Sequence, residues 1–181
     1  MAEPNSKLSI HNLAERHFGV TTVVGQSYTE AARVCLDRHH LSPVTFQVKN
    51  NEGMLQSTVE WTATDNRTKA AWANDIDATE AGAYACALAA VELTSDMVAV
   101  HRAETKTGAD YYIAPRGRGV DDLEDCYRLE VSGVDKGAVS VVEGRLRVKL
   151  DQAASGKSNL PAIARVIGFR AQLIVIETLR N

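Results

Sequence analysis

The sequence predicts an α/β fold, with an N-terminal helix and β-hairpin ahead of a core ordered helix, strand, strand, strand, helix, strand. Three observations carry that expectation. The run from Ala81 to Leu93 is rich in alanine and leucine, the composition of a helix packed closely on a sheet. Val139 to Ala154 sets Val142, Leu146, Leu150 and Ala153 at a spacing of about 3.6 residues. Short β-branched or aromatic runs, bounded by Gly, Pro and Asp, separate and follow these two helices.

The elements follow in order. Residues 1–10 read as disordered or loosely packed. Thr29 to His40 reads as a short helix capped by Ser27 or Thr29 and ended by Pro43. Val44 to Val48 alternates at period two and reads as a strand. Asn50-Asn51-Glu52-Gly53 is a turn, and Met54 to Trp61 is the returning strand. Thr62 to Ala73 is loop or irregular helix. The Ala81 helix is led in by Ala78-Thr79-Glu80 and broken at Thr94-Ser95-Asp96. Val98 to Val100 is a strand, and Gly108-Ala109-Asp110 turns into a second one at Tyr111 to Ile113, stopped by Pro115. Arg116 to Asp125 is a charged loop. Tyr127 to Val131 is a third strand, ended by Ser132-Gly133. The Val139 helix closes at Gly156, and Ile163 to Ile176 is a final strand after Pro161. Residues 1–76 are thus an extension packed on a core spanning 77–181, in one structural domain.

Composition bounds the function. A net charge of −3 argues against a protein that coats nucleic acid through bulk charge. The charge is uneven: residues 1–110 carry nine basic and fourteen acidic residues, and 111–181 carry eleven and nine. That shift favours an anionic partner for the C-terminal part. Cys35, Cys86 and Cys126 form neither a disulfide framework nor a zinc knuckle and read as buried thiols of a reducing compartment. No signal-like run opens the chain, and no apolar stretch is long enough to span a bilayer, so a cytoplasmic location is expected. His39 and His40 follow Cys35 without the further spaced ligand that zinc requires.

Three acids fall where chemistry is done. Glu80 opens the first core helix, Asp110 opens the second core strand, and Glu130 lies inside the third. Neighbouring strands bring such carboxylates to one side of a sheet, as Mg²⁺ or Mn²⁺ requires. Each acid also has an ordinary reading: a turn cap for Asp110, a solvent-facing strand position for Glu130, a helix-dipole partner for Glu80. Arg116 and Arg118 lie in the glycine-containing loop, and Arg145, Arg147 and Lys149 make a cationic run on the last helix. Both sets suit phosphate contacts, and both equally suit a solvated surface.

The element order, with Asp110 on one strand and Glu130 on the next, resembles the restriction-endonuclease-like PD-(D/E)XK superfamily over roughly Asp77 to Leu179. The resemblance implies a Mg²⁺-dependent phosphodiesterase acting on DNA or RNA, in defence or repair. Asp110 and Glu130 would hold the metal and Glu80 would match the family's helical glutamate. The family's lysine, two residues after the glutamate, falls on Ser132. Related folds tolerate a lysine moved to the following helix. Lys149 would then supply the cation, with Gln152 beside it and Arg145, Arg116 and Arg118 toward the substrate. Lys136, in a turn, is a second candidate cation. Two alternatives stand beside this reading: an inactive nuclease-fold binding module within a homodimer or larger complex, and an interaction protein of unrelated α/β fold. No membrane partner is expected on any of them.

Overall fold

A computed structural model describes residues 6–117 and 122–179. The chain runs β1 (Ser6–Lys7), α1 (Leu13–Arg16), α2 (Thr22–Asp37), β2 (Val44–Asn50), β3 (Gly53–Val59), α3 (Asn66–Ala71) and α4 (Asp75–Ser95). It continues with β4 (Met97–Arg102), β5 (Tyr111–Pro115), β6 (Tyr127–Val134), α5 (Val139–Ser155), β7 (Ala162–Gly168) and β8 (Leu173–Leu179). One mixed sheet of eight strands holds the order β1-β3-β2-β8-β7-β6-β5-β4. The N-terminal hairpin is therefore part of the same sheet, joined where β2 lies parallel to β8. The fold is α/β, and the helix-strand-strand-strand-helix-strand order runs from α4 to β7. Among the described residues, no helix is long and apolar enough to cross a membrane.

The sheet is covered on both faces. On β7, Ile163 and Ile167 join the cluster that holds α2 and α4, while Val166 packs with Val142 of α5. All seven residues of β7 are buried, as a central strand between two helical layers requires. α4 is buried almost all round, and its alanines let it approach closely. Gly82 shows how closely: a β-carbon there would lie 3.0 Å from the backbone of Ala32 in α2. Asn74 caps α4, its side chain accepting from the amides of Ile76 and Asp77. These contacts hold the first turn of α4 beside β6.

Several boundaries differ from the sequence expectation. α2 begins at Thr22, not near Thr29, because Thr21 caps it by accepting from Val24 N. Leu8 and Ile10 are buried rather than loose, and Leu8 N donates to Thr58 O. β6 continues through Ser132 and Gly133 to Val134, because β7 pairs with it there. The apolar run after Pro161 is two antiparallel strands, not one, and the chain turns back at residues 169–172, with Gln172 in the left-handed region at φ 52.

The outer strand β4 is tied to the N-terminal segment by a buried histidine. His17 is fully buried, and its Nδ1 accepts from Ala99 N at 2.9 Å. The ring proton therefore sits on Nε2, which donates to Glu92 at 2.8 Å. Arg16 adds a second charge-assisted contact to the same carboxylate at 2.9 Å. Burial works to raise the Glu92 carboxyl, but the hydrogen bonds from His17 and Arg16 outweigh it and bring it down to about 2. A carboxyl depressed from 4.5 to about 2 stabilises the fold fully above pH 4.5 and loses that contribution as pH falls through that interval. Thermal melts across the interval should show the wild-type midpoint falling. Glu92→Gln should lower stability at neutral pH by about 2 kcal/mol and flatten the acid limb. An acid limb as steep as the wild type's would remove Glu92 as its source.

Candidate functional site

The ladder between β5 and β6 ends at Tyr111 and Leu129, while β6 runs on to Val134 with β7 alone. Continued by one pair, the register sets Asp110 opposite Glu130, at the point where the two strands part. Asp110 N donates to Leu129 O at 2.8 Å, the last backbone contact of the ladder. The Asp110 carboxylate then replaces a missing carbonyl, its Oδ2 accepting from Val131 N at 2.7 Å. Its Oδ1 accepts from the Tyr84 hydroxyl at 2.8 Å. Arg102 donates to the Asp110 backbone carbonyl at 2.9 Å, with its guanidinium 4.8 Å from the ring centres of both Tyr84 and Tyr111. Each Asp110 oxygen retains one lone pair.

Glu130 is buried, and its Oε2 accepts from Lys149 Nζ at 3.3 Å. Burial, and then the charge of Asp110, push its carboxyl above the usual range, with Lys149 opposing them. Lys149 reaches this strand because the parallel crossover from β6 to β7 lays α5 on the face that carries Glu130.

A cleft of 640 Å³ opens beside the pair. Its floor is β6 from Val131 onward, and its walls are the first turns of α4 and the outer face of α5. Glu80, Arg145, Lys149 and Gln152 all line it. Glu80 is exposed on the α4 wall, and it does not complete a three-acid cluster. Among the described residues, no three His, Cys, Asp or Glu side chains gather closely enough to hold a metal ion. Arg116 is not brought to the cleft; it pairs with Glu92 and Asp96 at the other end of α4. Arg118 lies outside the described residues. A second cleft of 360 Å³, lined in part by His11, Glu30 and Arg33 between α1 and α2, contains none of these acids.

Sequence reasoning missed Tyr84 and Arg102, the side chains that hold Asp110. Tyr84 left a trace, as the one aromatic residue in an alanine-rich helix. Arg102 left none, since a basic residue at a strand end is ordinary. No protein-family model, curated protein or solved structure matches this chain.

Tyr84→Phe removes one donor from Asp110 Oδ1 and leaves Val131 N in place. Urea denaturation should show a loss of about 1 kcal/mol. Unchanged stability would mean that Val131 and Arg102 hold Asp110 without Tyr84.

Proposed function

We infer that the chain is a Mg²⁺-dependent phosphodiesterase acting on nucleic acid, with its site where β5 and β6 part. The observation that carries this reading is the meeting of Asp110, Glu130 and Lys149 at that point, at the edge of an open cleft. The element order from α4 to β7 supports a restriction-endonuclease-like core.

The donor set fits a small hard cation. Mg²⁺ is commonly held by one or two carboxylates and keeps several waters, so a third acid is not required. Asp110 and Glu130 would hold it, and Mn²⁺ would serve in its place. When bound, such a cation activates water and neutralises charge on a phosphoryl group. The protein's own part is positioning. Val131 N and the Tyr84 hydroxyl orient Asp110, and burial keeps Glu130 from swinging into solvent. The Lys149 ammonium stands beside Glu130, where it would offset charge developing on the phosphoryl oxygens as water attacks phosphorus and the leaving oxygen departs. Arg145 and Gln152, on the same face of α5, would meet the nucleic-acid backbone.

A second reading, a catalytically silent module that binds nucleic acid or protein, is favoured by Ser132 standing where the family carries lysine. Calorimetric titration with Mg²⁺ separates the two. The wild type should bind, while Asp110→Asn and Glu130→Gln should each abolish binding with the fold retained by circular dichroism. Cleavage of labelled DNA and RNA should fall by about a hundredfold in Lys149→Ala. A wild type that binds no metal at millimolar concentration would leave the silent module.

A further inference from the structure

We propose that the cleft beside Asp110 and Glu130 takes a single unstacked nucleotide, its base held between Ile76 of α4 and Val148 of α5, so that the preferred substrate is single-stranded rather than continuous duplex. This rests on the phosphodiesterase reading for its choice of ligand, and its test does not require cleavage.

The two aliphatic side chains are the first observation. Ile76 is 77% exposed and Val148 is 49% exposed, on opposite walls of one cleft. Each is a position where a solvated helix end or outer face ordinarily carries a polar residue. Apolar walls across a gap suit a flat, partly apolar ring, since every base offers such a face.

The charges are the second. Two acids of the cleft have cationic partners within the protein, while Glu80 on the α4 wall has none among the described residues. Asp75 pairs with Arg38 at 2.9 Å and with Lys136 at 3.5 Å. Asp135 pairs with His39 at 2.8 Å and with Arg38 at 3.5 Å. Among the described residues, the side chains of Arg145 and Gln152 have no hydrogen-bond or ion-pair partner, so their donors are open to a phosphate and a sugar.

Size and continuity are the third. A volume of 640 Å³ is that of a pocket for one small ligand. It is far too small for a double helix, and a base enters only by leaving its stack. Neither Asp110 nor Glu130 lines the cleft, but the residues that hold them do. Val131, whose amide holds Asp110, lines it, and so does Lys149, which holds Glu130. A nucleotide seated there would place its phosphate next to the two acids.

The test is fluorescence anisotropy in EDTA with a short fluorescein-labelled oligodeoxythymidine, free and annealed to its complement. Wild type should bind the single strand at least tenfold more tightly. The double variant Ile76→Ser, Val148→Ser should lose roughly tenfold in single-strand affinity, with duplex affinity unchanged. Both positions are exposed, so the variant should fold, and its circular dichroism and Mg²⁺ calorimetry should match the wild type. Equal affinity for single strand and duplex, single-strand binding indifferent to the double variant, or no oligonucleotide binding at all would each overturn the proposal. The last would favour a peptide strand on the open edge of β6. Metal calorimetry on the wild type judges the phosphodiesterase reading separately. Its failure, beside intact single-strand binding, would leave a nucleotide-binding cleft without that chemistry.

Discussion

A buried amide must have a partner, and at Val131 that partner is a side chain. β5 is too short to carry the ladder past Leu129, so the next inward-facing amide of β6 would be left bare. The Asp110 carboxylate supplies the acceptor at 2.7 Å. This one substitution of carboxylate for carbonyl fixes three things together. It holds Asp110 at the fork of the sheet, it keeps that residue within electrostatic range of Glu130, and it leaves the edge of β6 beyond it open. The alternation that turns Arg128 N toward Pro161 and Val134 O toward Phe169 turns the Gly133 amide groups to that open side.

The electrostatics of the fork follow from its packing. Two carboxylates on adjacent strands repel one another, and one of them is buried. Glu130 bears the consequence, its carboxyl raised by burial and then by Asp110. Lys149 returns part of that cost, but one ammonium stands against two acids, and Arg102 is 3.9 Å from Asp110 Oδ1 and half exposed. Asp110 is held by dipoles instead, through the Tyr84 hydroxyl and the Val131 amide. The chain thus concentrates negative charge at the edge of a cleft in which Asp75 and Asp135 already have cationic partners, which favours drawing a cation to that edge.

How much of this was legible depended on whether a feature is local. The alternation of Val44 to Val48, the turn at Asn50 to Gly53 and the composition of Ala81 to Leu93 are local, and each stands as expected. Asp110 and Glu130 were visible because turn and strand signals placed one at the opening of a strand and the other inside the next. What was hidden needed a partner distant in sequence. Gly133 reads as a strand end, yet β7 carries the strand through it. The glycine is there because a β-carbon would lie 2.7 Å from Thr79 of α4. Residues 169–172 hold no glycine to mark the turn between β7 and β8. Ile76 and Val148 sit in different helices and become one feature only when β6 brings the helices to either side of it.

The cation beside Glu130 comes from α5 and not from β6, where residue 132 is serine. Strand alternation turns residue 132 to the same face as Glu130, so a lysine there would point along the strand toward the pair. Ser132 leaves that volume open, and it lines the cleft. Arg145, Lys149 and Gln152 are spaced four and three residues apart, one helix face directed at the space that Ser132 leaves. A cation on a helix approaches Glu130 from across the cleft rather than from along the strand. It therefore contacts Glu130 from the side on which a ligand would enter, and any group that occupies the cleft meets Lys149, Arg145 and Gln152 together. A cation on the helix couples charge balance at Glu130 to occupancy of the cleft, a coupling that a lysine on the strand beneath the pair would not provide.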